Sequence, residues 1–545
     1  MEPPPSKHWI RGVNLGGWFV LERYITPYLY AITDCHVQGD LCWYANQTSA
    51  PSPEAPLCDL EKCQPILVPS AFGYDDYPVD EYTLGQVLGP EIGAEWLNYH
   101  FENFITREDL VELKEAGLSH VRVPLPHWIM GDLLPGETWI VGQRWECFLR
   151  LLGWCRELGI QVWPDIHTAP GSQNGFDNSG LQKLVYTCAP WIDNRQHVDW
   201  SLKAIDDVTR GISEAGFSDV VTGFGLLNEP FFCDHALYRH FIDQGLEIVR
   251  TNLGEDAAVF VSDAFTVSHW NDGSFWLDPV QYNNTYLDSH YYQVFAEEYR
   301  ALSPRQHIAY ACQTEHKEFG VAGCCYEDAP KNTVPSRGVQ RIVSEFSAAV
   351  DTLPVITLRN AMQEIGRTGQ APQRSISPER GEFLRNFLQA QMVTYETTSS
   401  GVGSGWFYWT AKMEGSMFSE WDFLRGVREG WVPKLAPLNE TSESLYGTCF
   451  EILFRTDDDM KVIHEFPDSS VSPDHLGYQL NDDVVVSHGE ILHGRNPFSS
   501  PQSFWHVNWL VLALSFLTMG LAYRYLRRDS RRNHYTKIDS IDIEI

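Results

Sequence analysis

Basic residues are scarce in this sequence of 545 residues, in which 40 Lys and Arg stand against 72 Asp and Glu and the formal net charge is −32. A protein that binds nucleic acid needs clustered lysine and arginine side chains to meet the phosphates. The composition therefore argues against a nucleic-acid partner. A strongly acidic chain is better suited to a neutral ligand in acidic surroundings.

Several catalytic signatures are also absent. There is no CxxC pair and no HExxH, two common zinc-binding patterns, and no GxSxG, which marks the serine of many hydrolases. No glycine-rich loop follows the first predicted strand, as it does in many nucleotide-binding sheets. Asp165-x-His167 and Asp288-x-His290 keep a catalytic metal open as an alternative, although their spacing matches no close histidine cluster.

The N-terminal stretch MEPPPSKHWIRG lacks the apolar core of a signal peptide. The cysteines, in contrast, favour a protein with disulfides. Their number is even, 12, and their spacing is not that of a zinc site. Four of them lie in a proline-rich segment, residues 34–70, that we interpret as an inserted loop: Cys35, Cys42, Cys58 and Cys63. We expect disulfides of open connectivity in an oxidising compartment, and therefore a start upstream or a missing leader. Three N-x-[ST] sequons agree with this, beginning at Asn46, Asn283 and Asn439.

Residues 504–523, FWHVNWLVLALSFLTMGLAY, contain no Asp, Glu, Lys or Arg and have the length of a membrane-spanning helix. The tail that follows, residues 524–545, carries five arginines and a lysine in RYLRRDSRRNHYTK. The positive-inside rule then predicts a cytoplasmic tail and a large N-terminal part outside the cell or in a lumen. Residues 456–503, with little periodicity and much Ser, Pro, Asp and His, are interpreted as a stalk. A buried core helix is the alternative for residues 504–523.

Short apolar runs alternate with segments of helical periodicity over residues 1–455. The predicted strands are residues 9–15, 120–125, 160–167, 221–229, 258–264, 285–292, 341–348 and 404–412, and the predicted helices include 107–118, 144–159 and 381–396. Strands that alternate with helices predict a parallel sheet. Eight such units predict an α/β fold of the (β/α)8 type, a TIM barrel with rim insertions. An open doubly wound sheet is the alternative.

Polar residues stand at the C-terminal ends of the predicted strands, where a (β/α)8 barrel carries its active site. They are Arg122, Asp165, His167, Asn228, Glu229, His290, Tyr292 and Glu345, with Trp406 and Trp409 on the last strand. Any one of them alone would more often be a rim residue, an ion-pair partner or a packing residue. Their repetition around a ring predicts a cleft with two facing glutamates, imidazoles, an arginine and aromatic walls.

Paired glutamates are suited to cleaving the acetal between two sugars, which needs a proton donor and a second carboxylate. We predict that Glu229 is the acid/base, with its pKa raised by the apolar strand before it, and that Glu345 is the nucleophile. Arg122 and Tyr292 are predicted to hold Glu345 ionised. A retaining mechanism requires the two carboxyl groups to lie about 5–5.5 Å apart. Asn228 is a candidate for the sugar 2-hydroxyl, and His167 and His290 are candidates for sugar contact and for tuning the acid.

Eight longer motifs contain these residues: RGVNLGGWFVLERYITP, VDEYTLGQVLG, HVRVPLPHW, DIHTAPGSQNGFDNSG, LLNEP, DSHYYQVF, SEFSA and GWFYWTAKME. With them the chain resembles glycoside hydrolase family 5, and within it the fungal exo-β-1,3-glucanases, from about residue 9 to about residue 450. LLNEP alone is weakly specific, whereas the long third-strand motif and the first-strand motif are highly specific.

The resemblance implies a (β/α)8 barrel and a retaining mechanism that uses no cofactor and no metal. It implies the roles already given to Glu229 and Glu345, and it places six residues around the cleaved sugar: Arg122, His167, Asn228, His290, Tyr292 and Trp409. It further implies that Glu22 binds sugar hydroxyls. Phe176 and Phe295 resemble the aromatic pair that clamps the acceptor glucose at the mouth of the cleft.

We therefore expect a membrane-anchored monomer that releases glucose from the non-reducing ends of β-1,3-glucan, or transfers it, in a fungal cell wall. Its catalytic domain would lie outside the cell, at the membrane or cell surface, with a secreted wall form as an alternative. Some residues differ from the usual family pattern: Pro126, His127, Thr168, Tyr291 and Phe346. They leave β-1,6-glucan, or another β-glucoside such as a glucosylated lipid, open as the substrate. A non-catalytic glucan-binding wall module is the alternative function.

Overall fold

Eight parallel strands close into a barrel in the computed structural model of the chain. The structure describes residues 9–39, 62–64, 66, 68–70, 73–75, 77–266, 270, 277–278, 280–295, 299, 302–312, 339–350, 355–371, 375–396, 403–415 and 418–458. The closed barrel confirms the predicted (β/α)8 architecture and excludes the open doubly wound sheet.

All eight predicted strands are present, most of them with ends within two residues of the prediction. In chain order the strands are β1 (Ile10–Asn14), β2 (Val68–Ser70), β3 (Gly73–Asp75), β4 (His120–Leu125), β5 (Gln161–Ile166), β6 (Gly223–Gly225), β7 (Ala258–Ser262), β8 (Thr285–Tyr291), β9 (Gln340–Phe346) and β10 (Gly403–Tyr408). The order around the barrel is β1-β10-β9-β8-β7-β6-β5-β4, and β2 and β3 form a separate antiparallel hairpin. β6 is much shorter than predicted, so Asn228 and Glu229 lie beyond the strand and not in it.

The helices include the three predicted ones. The longer helices are Glu81–Asn103, Arg107–Glu115, Arg144–Leu158, Arg195–Glu214, His235–Leu253, Pro304–Ala311, Val355–Thr368, Pro378–Glu396, Phe423–Glu429 and Cys449–Arg455, and the shorter ones are Pro27–Tyr30, Asp34–Val37, Ala189–Ile192 and Ser442–Tyr446. Their apolar faces pack on the outward side chains of the barrel strands and form the larger hydrophobic core. This places the core between sheet and helices, as the alternation of strand and helix requires.

Large side chains fill the half of the barrel interior that is nearest the N-terminal ends of the strands. Glycines on other strands leave space for them. Trp163, Phe260 and Phe407 form this inner cluster with Ile10, Ala258 and Ile342. A Cβ atom at Gly223 would lie 2.5 Å from the Trp163 ring, and one at Gly12 would lie 2.3 Å from the Phe407 ring. This half of the interior is therefore closely packed, and polar side chains can gather only towards the C-terminal ends of the strands.

A bulge in β9 sets the direction of Glu345. Ser289 pairs with Val343 and the next pair is His290 with Glu345, so Ser344 is the extra residue. Strict alternation would turn Glu345 away from the side of Ser344, but the bulge brings both side chains into the barrel. Phe346 then returns to the outer core.

The predicted insertion at residues 34–70 lies mostly outside the described residues, but its two ends are joined by a disulfide between Cys35 and Cys63. Two further disulfides join Cys188 to Cys233 and Cys312 to Cys449. Cys147 and Cys155 are free and buried. The disulfide part of the cysteine prediction is thus confirmed, with a pairing that the sequence left open.

The predicted stalk at residues 456–503, apart from its first three residues, lies outside the described part, as do the predicted membrane helix at 504–523 and the basic tail at 524–545. Within the described ranges, every helix is too short or too polar to cross a membrane.

Candidate active site

The barrel brings the predicted polar residues together at one end. Arg122 lies in the middle of β4, and its guanidinium reaches Asn14, the last residue of β1. Asn228 and Glu229 follow β6. His290 lies in β8 and Glu345 in β9. These are the C-terminal ends of parallel strands, where (β/α)8 enzymes carry their active sites.

Glu345 is held by two donors that approach different oxygen atoms. Arg122 Nη1 donates to Oε1 and Tyr292 Oη donates to Oε2, each at 2.7 Å. The residue is only 4% exposed, so these contacts replace most of the hydration of the carboxylate. A carboxylate held in this way is fixed in position.

Glu229 is also held at both oxygens, by His290 and by an asparagine from the loop after β5. His290 Nδ1 lies 2.7 Å from Oε1, and Asn178 Nδ2 donates to Oε2 at 2.7 Å. Glu229 has a left-handed backbone with φ of 45°, which non-glycine residues adopt rarely. Such a conformation must be supported by its surroundings and is typical of functional sites.

The prediction that the apolar strand raises the pKa of Glu229 is wrong. Burial does raise it, but the hydrogen bonds from His290 and Asn178 and the positive charge of His290 outweigh burial, so the pKa lies below its ordinary value. For His290 the balance is reversed. Burial lowers its pKa, but the carboxylates of Glu345, Asp288 and Glu229 hold that pKa well above its ordinary value. The proton between the two side chains therefore resides on the imidazole.

An oxygen of Glu229, an oxygen of Glu345 and a nitrogen of His290 all lie within 4.8 Å of one another. This value is an upper limit for the three atoms, and so close an approach of the two carboxylates agrees with the carboxyl separation of about 5–5.5 Å in retaining glycosidases better than with the wider separation in inverting ones. The imidazole lies between the two carboxylates, because His290 Nδ1 is also 3.4 Å from Glu345 Oε2.

Arg122 connects the two halves of the site. Besides Glu345 it donates to Asn14 Oδ1 and to Asn228 Oδ1, each at 2.7 Å, and it lies 3.2 Å from Asp165. Burial lowers the pKa of Arg122, but the carboxylates of Asp165, Glu345 and Asp288 more than offset this. The guanidinium therefore keeps its charge although it is fully enclosed.

Asn228 presents its amide group to the cleft. Its oxygen is occupied by Arg122, which fixes the side-chain orientation, and its Nδ2 lies 3.3 Å from His167 Nε2. His167 is held in turn through Nδ1 by Asp165 Oδ2 at 3.0 Å. The ring of Trp409 lies nearly parallel to His167, with centroids 5.8 Å apart. These contacts bring Trp409 into the same site.

Glu22 brings a third glutamate to the site. Its Oε1 atom is shielded from solvent and has no hydrogen-bond partner among the described residues. Burial and the nearby charges of Asp177, Glu345 and Glu229 raise the pKa of Glu22 well above its ordinary value. A shielded oxygen without a donor is costly unless a ligand supplies one, and sugar hydroxyls are such donors.

The two predicted clamp residues lie on loops from different strands. Phe176, on the loop after β5, makes edge contacts with Tyr186 and Phe231. Phe295 follows β8, is 38% exposed and packs against Tyr292 and Trp421. Aromatic side chains thus stand on two sides of the cleft.

Sequence reasoning missed several residues that hold the site. They are Asn14, Gln173, Asp177, Asn178 and Ser344, together with Asp288 in any role other than that of a metal ligand. Asn178 was detectable, since it lies in the quoted third-strand motif, two residues after Phe176. Ser344 and Asp288 act behind His290: Ser344 Oγ lies 3.0 Å from His290 Nε2, and Asp288 Oδ2 accepts from Ser344 Oγ at 2.5 Å.

Four of the five unusual residues fall into two groups. Phe346 and Tyr291 pack against Tyr395, on the outer face of the barrel. His127 and Thr168 contact each other, with His127 Nδ1 2.8 Å from Thr168 Oγ1. None of these four side chains replaces a contact to Glu229 or Glu345 described above.

Glu229, His290 and Glu345 also form a cluster whose donor atoms could surround a cation. Their oxygens already accept from Asn178, Arg122 and Tyr292, and the neighbouring Arg122 guanidinium is positive. This donor set therefore fits hydrogen-bonded carboxylates better than a metal.

Two glutamates that approach each other at the C-terminal end of a (β/α)8 barrel, among aromatic side chains, define the protein as a glycosidase. No family model matches the chain. It is 31% identical over 450 residues to a glucan 1,3-beta-glucosidase of Yarrowia lipolytica, which covers 78% of this chain and 88% of that protein. It is 30% identical over 449 residues to glucan 1,3-beta-glucosidase 2 of Wickerhamomyces anomalus, with coverage of 81% and 90%.

Among solved structures, the crystal structure of a rutinosidase from Aspergillus niger matches with a TM-score of 0.52 and 19% identity, covering 78% of this chain and 98% of that one. At this identity the likeness shows the fold alone. The family is shown by the sequence relatives. The chain belongs to the glucan 1,3-beta-glucosidase family, within glycoside hydrolase family 5.

Proposed function

We propose that the protein releases glucose from the non-reducing ends of β-1,3-glucan by a two-step retaining mechanism. The observation that carries the mechanism is the pair of buried glutamates, whose nearest oxygens lie within 4.8 Å and whose partners differ. The names of the relatives, glucan 1,3-beta-glucosidases, support the β-1,3 linkage and glucose as the product.

In the first step a Glu345 oxygen attacks the anomeric carbon of the terminal glucose, and the bond from that carbon to the bridging oxygen breaks. Arg122 and Tyr292 keep the attacking carboxylate in place. Glu229 gives a proton to the leaving oxygen, so that the remaining glucan departs as an alcohol. The products are a glucosyl ester on Glu345 and an ionised Glu229.

The proton for this step resides on His290 before reaction. His290 Nδ1 lies 2.7 Å from Glu229 Oε1, so transfer along this hydrogen bond gives a neutral Glu229 and a neutral imidazole. Once Glu345 has become an ester, it no longer stabilises positive charge on His290.

In the second step Glu229 takes a proton from water, and the water oxygen replaces Glu345 on the anomeric carbon. This releases glucose with the configuration of the substrate and returns the proton to the Glu229–His290 pair. A sugar hydroxyl in place of water would give transglycosylation. Asn228 supports both steps because its Nδ2 can donate to the sugar 2-hydroxyl, a contact that strengthens in the transition state.

We further propose that the catalytic domain acts on fungal wall glucan outside the cell, as a monomer anchored by residues 504–523. The sequence supports this through the apolar stretch and the arginine-rich flank. The disulfides are typical of an oxidising compartment.

The test is a panel of β-1,3-, β-1,6- and β-1,4-linked glucans, with released glucose as the readout. We expect the β-1,3 polymer to be turned over fastest. Equal or faster turnover of the β-1,6 polymer would refute the linkage, and binding without turnover of any glucan would favour a non-catalytic module.

A further inference from the structure

Three exposed apolar side chains lie on two joined segments beside the acid/base. They are Leu184, 62% exposed, Val185, 67% exposed, and Phe232, 49% exposed. We call these three residues the rim surface. Large apolar side chains that face solvent together usually mark a binding site.

The rim surface is built onto the catalytic loops. Phe232 follows Glu229 by three residues, and the centroids of the Phe232 and Phe231 rings are 4.4 Å apart. Phe231 in turn contacts Phe176 at 5.2 Å, in the loop whose Asn178 donates to Glu229. A chain of rings therefore leads from the acid/base to Phe232.

The segment that carries Leu184 and Val185 is fixed at both ends. Lys183 N–H donates to Gly175 O at 2.9 Å, and Cys188 N–H donates to Phe231 O at 2.8 Å. The disulfide between Cys188 and Cys233 adds a covalent connection to the loop after β6. Leu184 and Val185 are thus presented to solvent by an anchored segment.

The position of Glu229 identifies what this surface faces. A general acid lies beside the oxygen of the leaving group, so the residues around Glu229 line the leaving-group side of the cleft. Aromatic rings can stack on sugars and on apolar groups alike. Leucine and valine offer neither a stacking face nor a hydrogen bond, so they select an apolar group.

We propose that the rim surface binds the apolar alcohol part of a β-glucoside in which glucose is bonded to an alkyl or fused-ring alcohol instead of a sugar. This rests on the proposed function, because it uses the same two glutamates and the same bond cleavage. It adds a second substrate class to β-1,3-glucan: amphiphilic β-glucosides.

The experiment compares kcat/KM of the full-length protein, in a detergent without glucose, on methyl β-glucoside, hexyl β-glucoside and laminaribiose. We expect the wild type to prefer hexyl over methyl β-glucoside by about tenfold or more, since each buried CH2 contributes roughly 0.8 kcal/mol. The double variant Leu184→Ser/Val185→Ser should lose about tenfold on the hexyl substrate alone.

Two further variants separate binding from damage. Val280→Ser is the matched control, because Val280 is 88% exposed and precedes β8, at the opposite end of the barrel from the site. This variant should leave kcat/KM unchanged on all three substrates. Leu184→Met should keep the hexyl preference.

If the double variant keeps the wild-type ratio of kcat/KM on hexyl to methyl β-glucoside, the proposal is overturned. An equal loss of kcat/KM on all three substrates would overturn it as well. If the wild type cleaves hexyl β-glucoside with the stated preference but not laminaribiose, the β-1,3 assignment fails while this inference stands.

Discussion

His290 is the residue on which the proton balance of the site depends. It lies between two glutamates and is backed by Ser344 and Asp288, so its pKa is raised at the expense of Glu229. From the sequence, Glu229 follows an apolar run, and burial alone predicts a raised pKa. The opposite direction arises from a residue 61 positions away, whose hydrogen bond no local pattern reveals.

The variant His290→Gln should move the basic limb of the pH profile of kcat/KM towards lower pH, by about one unit or more. In the wild type the catalytic proton is lost only as pH rises through the raised pKa of His290. In the variant Glu229 must hold the proton itself, and a carboxyl group loses it at lower pH. The profile is measured on laminaribiose, with the exposed His240→Gln as control. An unmoved basic limb would show that His290 does not carry this proton.

The two glutamates should respond differently to substitution by glutamine. Glu345→Gln removes the nucleophile and should lower turnover by about 10³-fold or more on every substrate. Glu229→Gln should lower it comparably on laminaribiose, but far less in the first step on an aryl β-glucoside whose leaving group needs no proton.

The measurements are steady-state and pre-steady-state rates, together with binding of laminarin, which both variants should retain. Glu255→Gln, at a side chain 77% exposed, is the control. Equal losses for both variants on the activated substrate would contradict the assignment of acid/base and nucleophile.

At the scale of elements, the strand pattern gave the barrel but not the fine placement of the site. Eight apolar runs were sufficient to place the strands, since buried parallel strands are the most regular signal in such a chain. The bulge at Ser344 was not predictable, because it depends on the pairing of β8 with β9. Without it, Glu345 would be expected on the face away from the site.

Gln173 joins the two loops that carry the acid/base and its neighbours. Its Nε2 donates to the carbonyls of His167, at 2.9 Å, and Asn228, at 3.0 Å, while its Oε1 accepts from Ala169 N–H at 3.0 Å. Its side chain is fully buried and approaches no catalytic carboxylate in these contacts. We interpret it as a positioning residue that supports the left-handed backbone of Glu229.

Gln173→Ala should lower kcat by about 10- to 100-fold with a smaller change in KM, because misplaced catalytic groups affect the transition state more than substrate binding. The basic limb of the pH profile should stay in place, since the contact of His290 with Glu229 is kept. Gln196→Ala, at an exposed position, is the control. A change in KM alone, or a loss that vanishes after correction for the folded fraction, would count against positioning.

At the scale of the whole molecule, a buried ion pair joins distant segments of the chain near the N-terminal ends of the strands, away from the site. Arg11 on β1 donates to both oxygens of Glu396, at 2.7 and 3.0 Å, and to the carbonyl of Glu440 at 2.6 Å. Glu396 also accepts from the N–H of Ser442 at 2.6 Å. The first strand, the helix Pro378–Glu396 and the segment around residue 440 are thereby connected at one point.

Arg11→Met should destabilise the protein by about 3–5 kcal/mol, because it leaves the buried carboxylate of Glu396 without its charge partner. Below the unfolding temperature, kcat/KM should be unchanged, since the pair lies at the N-terminal end of the strands. Thermal and urea unfolding measure the first effect and laminaribiose hydrolysis the second. Arg195→Met, at a side chain 93% exposed, is the control. Equal stability of the two variants would refute the structural role of the pair.

The overall architecture was the most predictable level of this protein. Strand number and the residues at strand ends follow from local sequence, and the long motif around His167 carried the family. Disulfide pairing, the bulge, the proton on His290 and the rim surface all depend on contacts between distant segments. For this reason they follow only from the three-dimensional structure.

The most direct test of the central account is ¹H NMR of laminaritriose hydrolysis, recorded within the first turnovers and before mutarotation. We predict that free glucose appears first as the β-anomer, with laminaribiose as the partner product. Glucose that appears first as the α-anomer would contradict retention by the Glu229–Glu345 pair.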